Sequence, residues 1–472
     1  MLCAMLALGL FEASSAVTLP VLNNSSIPPA RIMLLFLMLV VFQQVQMRGS
    51  LLAEAILANA SLIVFGLYGL ISALLLPRIF AGQIDVVPMR ALDLRSIFDT
   101  VPLAYSSQNI TTGIYIAGGA ITAVAAYIVG RVSIDLSLLA KACAGIALAH
   151  AITGLMGALL AGTPWDLVVN FIRNGSYAQL TQSVGGFLRI SGFMAEPSSF
   201  ARFGIVWMIF STEMWLRDIN PRWTGFAALT LTVVLILSSS STAYLGLGAY
   251  AIVLALRFLT FPPYIRADKI VRLALIGVAA VLAALILLLL SQRLANELGN
   301  ILERMTVNKA GSISGQQRTF WAMQGAEAFK FSRGLGIGAG SFRSSSLATA
   351  ILGSLGAVGA VMFLIYCFSL SRFSRVRPTD GEDRLRLDFA ASAAWTALVG
   401  LVPALFIAPS PDPGMEFVTL AGLSLALCRP PLIVSAQSAG LRRTWGGAQQ
   451  DPPPPEIHAP DPEAGWAGSA RS

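Results

Sequence analysis

The chain has 472 residues, 56% of them hydrophobic and only 12% charged, against roughly 25% charged in an ordinary soluble domain. That balance excludes a soluble multidomain enzyme and points to an all-α integral membrane protein, because apolar stretches recur along nearly the whole length. The net charge of +8 would suggest nucleic acid in a soluble protein; here it follows from membrane orientation, and no nucleic-acid partner is expected.

The N-terminal stretch MLCAMLALGLFEASSAVTLPVL has no positive n-region, and Glu12 interrupts its apolar run, so it reads as a first span over about 2–20 and not as a signal peptide. Further spans are expected at about 31–46, 52–76, 112–130, 138–161, 200–216, 222–239, 242–260, 270–290, 347–370, 389–407 and 416–433, about twelve in all. The cleanest runs from Leu273 to Leu290 without a charge. Basic residues gather in short loops of one parity, at Arg48, Arg131, Lys141, Arg217, Arg222, Arg257, Arg266, Lys269 and Arg272, and again over 371–388. Those loops are expected to be cytoplasmic, with both termini. Three longer loops, about 77–111, 162–199 and 291–346, then fall on the outer side. The domain division follows: a polytopic membrane domain over 1–434 and a Pro/Gly/Ala-rich, disordered cytoplasmic tail over 435–472.

Cys3, Cys143, Cys367 and Cys428 lie in or beside apolar segments without CxxC or Cys/His spacing, so no disulfide, metal or other cofactor is expected. His150 sits in an apolar segment and reads as a packing residue; His458 is in the tail. The outer loops therefore lack a histidine base.

Chemistry-bearing residues concentrate in two outer stretches. The first, GGFLRISGFMAEPSSFARF, carries Arg189, Glu196 and Arg202 within fourteen residues. Ionisable side chains at a membrane edge are costly unless paired, solvated or used. The second begins with SQRLANELGNILERMTV, an expected amphipathic surface helix. GQQRTFWAMQGAEAFKF then places Gln317, Arg318 and Trp321 on another helix, with Arg318 and Trp321 on one face. In GLGIGAGSFR, the glycines at 334, 336, 338 and 340 are spaced like a phosphate cradle, but without GK[ST] or a βαβ context. Two readings stay open: a flexible turn, or backbone amides that help hold a pyrophosphate.

RISGFMAEPSSFARF, LILSSSSTAYLGLGAYAIVLAL, QQRTFWAMQGAEAF and GLGIGAGSFRSSSLATAILGSLGAVGAVMF, in that order over roughly 185–365, resemble the successive signatures of the O-antigen polymerase and O-antigen ligase superfamily. The resemblance implies a GT-C-like membrane fold in a bacterial inner membrane with a large late periplasmic loop. It implies glycosyl transfer on the periplasmic face from an undecaprenyl-pyrophosphate-linked glycan, with a flippase and a chain-length regulator as pathway partners. By motif position, Arg189 and Arg318 correspond to the family's functional arginines. Arg202, Arg343, Trp321 and Gln317 are candidate substrate contacts beside them. The ligase branch carries a His-Asn pair where this chain has Ser344, Ser345 and Ser346, which tilts the expectation to polymerase over ligase.

The residues support that chemistry on physical grounds. Guanidinium groups meet pyrophosphate oxygens bidentately as leaving-group charge develops, and Glu196 is the leading candidate base for the attacking hydroxyl. Structural roles compete at each position. Glu196-Pro197-Ser198 is also a helix start, Arg202 and Arg343 flank spans where they would snorkel to headgroups, and Trp321 fits an interfacial anchor. Ser238 to Ser241 read as helix packing or as the lining of a polar path. A flippase or other transporter is the rival from another class, with charges expected mid-span; an export scaffold would contact partners through 371–388 and the tail.

Overall fold

The computed structural model describes residues 1–22, 25–89, 96, 98–132, 134–175, 183–184, 187–260, 267–290, 313–373 and 383–430. The expected surface helix over 291–307, the tail from 435 and half of the basic segment 371–388 lie outside them. The described chain is mostly helical. The helices are α1 Leu2–Leu8, α2 Pro29–Met47, α3 Gly49–Ala58, α4 Ala60–Ile79, α5 Ser107–Arg131, α6 Leu136–Leu159, α7 Trp165–Ile172 and α8 Pro197–Leu216. They continue with α9 Pro221–Leu237, α10 Ser241–Thr260, α11 Ala267–Leu290, α12 Ile313–Phe331, α13 Leu347–Phe373, α14 Asp383–Gly400, α15 Ala404–Ile407 and α16 Met415–Leu427. Three two-stranded hairpins are the only sheet among the described residues: β1 Val17–Leu19 with β2 Ser25–Ile27, β3 Asp85–Val86 with β4 Val101–Pro102, and β5 Ser183–Val184 with β6 Phe187–Leu188.

Seven helical segments among the described residues are long and apolar enough to cross a membrane: 29–47, 60–79, 107–131, 136–159, 241–259, 347–372 and 384–407. The protein is accordingly an α-helical membrane protein. The first expected span is a helix only over Leu2–Leu8 with a 3-10 turn over Gly9–Phe11. At about 1.5 Å per residue that is roughly half of the 30 Å hydrocarbon core. The single window at 52–76 is divided between α3 and α4 at Asn59, which is fully buried. Its Nδ2 donates to Ala55 O at 3.0 Å and its Oδ1 accepts from the Tyr366 hydroxyl at 2.8 Å. Asn59 N also donates to Ala55 O at 3.2 Å and Asn59 O accepts from Ile63 N at 2.9 Å, so its polar groups are satisfied inside the protein, as hydrocarbon surroundings require.

Local sequence explains several starts. Pro197 and Pro221 occupy first-turn positions of α8 and α9. Asp135 caps α6 by accepting from Leu138 N at 2.9 Å, and Ser106 with Asn109 forms a capping box on α5. Small residues let helices approach closely. A Cβ on Gly422 of α16 would sit 2.3 Å from Ala123 O of α5, and one on Gly66 of α4 would sit 3.0 Å from the Ala120 methyl. α5 packs between α4 and α16, α14 between α16 and α8, and α8 against α6 and α9. α8 is buried along nearly its whole length, and Phe203, Trp207, Phe210 and the α14 residue Phe389 form a chain of ring contacts through it.

The two ends of the bundle carry different ion pairs. At one end Arg31 meets Asp412 at 2.6 Å and Arg202 meets Glu12 at 3.0 Å. At the other, Arg131 pairs with Glu54 at 3.1 Å, Arg257 with Glu213 at 2.8 Å and Lys269 with Asp218 at 3.0 Å. Asn220, between α8 and α9, donates to Ser137 O at 2.9 Å and so joins the α8–α9 turn to the start of α6 at this second end. Of the short-loop cations expected on one side, Arg131, Arg217, Arg257 and Lys269 group at this end.

Candidate functional site

The loop before α8 is held from below. Met194 N donates to Ser191 O at 2.9 Å, closing a turn in which Gly192 has φ of +52°. A Cβ there would lie 3.3 Å from Gly154 N of α6, so this close crossing suits glycine. Arg173, just after α7 and nearly fully buried, donates through Nη2 to Ala195 O at 3.0 Å and through Nη1 to Ser191 Oγ at 3.4 Å. Phe193 stacks on Phe11 with centroids 5.6 Å apart. Arg189 and Glu196 stand on either side of this braced turn. Glu196 is the N-cap residue of α8 in extended conformation, yet its carboxylate makes no capping bond; Ser198 Oγ donates to its Oε1 instead.

The second stretch is positioned by a helix crossing. A Cβ on Gly325 of α12 would lie 2.3 Å from Thr349 O of α13, and one on Gly353 would lie 2.7 Å from Gly325 Cα, so the two backbones touch. Arg318 and Trp321 lie on the half-buried part of α12 that precedes this crossing, with Gln317 beside them. Ser345 Oγ donates to Arg318 O, tying α12 to the loop before α13. In that loop Arg343 N donates to Val87 O and Ser344 N to Pro409 O. The Arg343 guanidinium lies 4.3 Å from the Trp321 ring centroid, a cation–π contact. Arg343 Nε and Trp321 Nε1 are buried without a hydrogen-bond partner.

The two stretches come within electrostatic range of each other. Burial, and then the neighbouring Arg318 charge, push the Arg189 guanidinium below its ordinary value while Glu196 pulls it back up. Burial likewise lowers Arg343, again opposed by Glu196. Arg189, Arg318, Arg343 and Glu196 thus share one electrostatic neighbourhood, although up to 154 positions separate them in the sequence (343 minus 189). Three guanidiniums against one carboxylate leave a local excess of two positive charges. Arg173 adds a buried cation whose burial also pulls it below its usual value; nothing in its sequence context marks it, beyond being another arginine of the same loop.

Other candidate residues sit elsewhere or do something else. Arg202 points to Glu12 at 3.0 Å, and Glu416 also lies within its electrostatic reach, so it is a member of the ion-pair network at this end of the bundle. The glycine run is neither a flexible turn nor an open cradle. Gly334, Gly336, Gly338 and Gly340 all have positive φ, and three of them are buried against backbone or ring. A Cβ on Gly336 would meet Ser354 O at 2.5 Å, on Gly338 the Pro77 ring at 2.6 Å, and on Gly340 Gln108 O at 2.3 Å. Amides along the run are already engaged: Gly334 N donates to Phe329 O, Gly336 N to Ser332 Oγ, Ile337 N to Gly353 O and Gly338 N to Ser354 O. Asn109, at the start of α5, donates to Ala339 O at 2.8 Å and holds the run in place. These residues build the floor under Arg343 by packing, together with Val86, Leu103, Ala328, Ile337 and Phe342.

His150 is buried, bonded through Nε2 to Phe200 O at 2.9 Å and stacked on Phe200 with centroids 4.0 Å apart, the packing role expected of it. Ser238 Oγ donates back to Leu235 O, a local helix-end contact. Among the described residues no three His, Cys, Asp or Glu side chains group as a metal site.

A cluster of three guanidiniums beside one carboxylate and an indole can hold a doubly charged anion and accept a proton next to it. No family model matches the chain, and no curated protein matches it.

Proposed function

We propose that the chain is a bacterial inner-membrane glycosyltransferase of O-antigen polymerase type, with about twelve spans in a GT-C-like arrangement and both termini cytoplasmic. It joins undecaprenyl-pyrophosphate-linked oligosaccharide units at the periplasmic end of the bundle. The observation that carries this reading is that Arg189 lies within electrostatic reach of Arg318 and Glu196, and Arg343 within reach of Glu196, although they come from two distant stretches. In the reaction an acceptor sugar hydroxyl attacks the anomeric carbon of the donor. The bond from that carbon to the pyrophosphate oxygen breaks, its electron pair stays on the pyrophosphate, and the hydroxyl proton passes to Glu196. Arg189 and Arg318 meet the growing phosphate charge. At about 4 Å each guanidinium contributes roughly 4 kcal/mol against one charge at an effective dielectric near 20, before desolvation. Only the part that grows in the transition state speeds the step. Arg343, stacked on Trp321, fixes the glycan-bearing end, and Gln317 offers an amide to sugar hydroxyls. A flippase and a chain-length regulator are the partners this reading implies.

The test uses the full chain in nanodiscs with undecaprenyl-pyrophosphate oligosaccharide and no nucleotide sugar or added metal, reading product length. A ladder of longer lipid-linked glycans is expected. Transfer only when lipid A core is supplied would mean a ligase, and inactivity of folded protein in both conditions would turn the reading toward a transporter.

A further inference from the structure

At the end of the bundle opposite Arg189 and Arg318, the α8–α9 turn and the first turns of α11 line an open pocket of about 350 Å³. Trp215, Asp218, Arg222, Asp268, Lys269 and Arg272 line it. Gly225 makes room for its indole wall, since a Cβ on Gly225 would lie 2.6 Å from Trp215 Cδ1. Lys269 Nζ, nearly buried, faces both the Trp215 ring centroid at 4.7 Å and Asp218 Oδ1 at 3.0 Å. Arg272 reaches Asp268 only at 3.8 Å and keeps 66% of its side chain exposed. Arg222 is exposed and has no ion-pair partner among the described residues. Three cations and two carboxylates leave a net charge of +1.

The apolar surroundings say what kind of anion fits. From Val271 to Ala279 every residue of α11 is exposed except the half-buried Leu273. Beside the pocket, α9 exposes Trp223, Phe226 and Leu229. A helix that is apolar and uncovered on all faces needs hydrocarbon around it, and tryptophan beside cations marks the headgroup level. A soluble phosphate would leave those faces bare, whereas a phospholipid satisfies pocket and faces together.

We propose that this pocket binds the phosphodiester headgroup of an anionic phospholipid whose acyl chains run along the exposed faces of α9 and α11. Its charge then tethers the start of α11 to the α8–α9 turn, as basic pockets between membrane helices do for acidic lipids. The site is independent of the proposed glycosyl transfer and is tested without it.

Native mass spectrometry of the full chain, released from vesicles of phosphatidylcholine with and without phosphatidylglycerol, gives the retained lipid. Wild type is expected to keep phosphatidylglycerol in preference, by about fivefold for each guanidinium that meets it. Arg222→Gln with Arg272→Gln should bring retention down to the phosphatidylcholine level. If the double variant does not fold, Arg222→Gln alone, on an exposed side chain, carries the comparison. Equal retention of the two lipids by wild type, or an unchanged preference in the variants, would overturn the proposal. Saturation of the pocket by millimolar inorganic phosphate in zwitterionic micelles, with no lipid preference, would reassign it to a soluble phosphate.

Discussion

Arg318 and Arg189 act through geometry as well as charge. Lysine keeps the charge but loses the planar fork that meets two phosphate oxygens at once. Arg318→Ala is therefore expected to lower kcat about 10²- to 10³-fold, the loss typical of removing one preorganised donor, with Arg318→Lys in between; initial rates of chain extension check the order. Trp321 has a different part, because its ring carries Arg343 at 4.3 Å. Trp321→Ala should raise KM several-fold with a smaller change in kcat, matching the roughly 0.5–2 kcal/mol of a cation–π contact. A KM left unchanged would return Trp321 to the role of an interfacial anchor. Arg189, Glu196 and Arg318 could be singled out as candidates because polar residues stand out against apolar flanks. Arg173 was not, since only folding shows that it runs under the Ser191–Ala195 turn. The ion pair of Arg202 was hidden for a similar reason: its partner Glu12 is 190 positions away, and no local spacing discloses a pair across that distance.

At the scale of elements, glycine carries the architecture under the site. Gly356 bends α13 with φ of +63° and ψ of −157°, and a Cβ there would lie 2.1 Å from Gly334 O. Gly336 has φ of +84° and equally little room. Gly336→Ala and Gly356→Ala should each destabilise the fold by about 2–4 kcal/mol, combining backbone strain with overpacking, and lower Tm in detergent. Gly248→Ala, where nothing lies within 4 Å, is the control expected to leave Tm unchanged. The long apolar runs that became α5, α6 and α13 could be read from hydropathy, because an uninterrupted run is a property of composition. The break at Asn59 could not, since one amide barely changes a windowed average and its justification, Tyr366, lies on a distant helix. The glycine run shows the same limit: spacing announces conformational freedom, while what presses on each Cα decides between a cradle and a close-packed floor.

Across the whole molecule, charge is sorted to the two ends of an apolar bundle. One end gathers Arg31, Arg202, Asp412 and Glu12 beside the arginine cluster; the other gathers Glu54, Arg131, Glu213, Arg257 and Lys269. That sorting was legible in the parity of the short loops. The number of crossings was less so, because α1, α3, α9 and α16 are apolar yet shorter than a bilayer crossing. A short apolar helix and one half of a broken span look alike until their neighbours are known.

If Arg189 and Arg318, far apart in sequence, act on one substrate, a double-mutant cycle will reveal their coupling. Rates of lipid-linked glycan extension would be compared for wild type, Arg189→Ala, Arg318→Ala and the double variant, with folding checked by thermal stability in detergent. A coupling of at least about 1 kcal/mol is predicted, so that the double variant loses clearly less than the sum of the single losses, as expected of groups sharing one ligand. Additive losses, or full activity in either single variant, would contradict it.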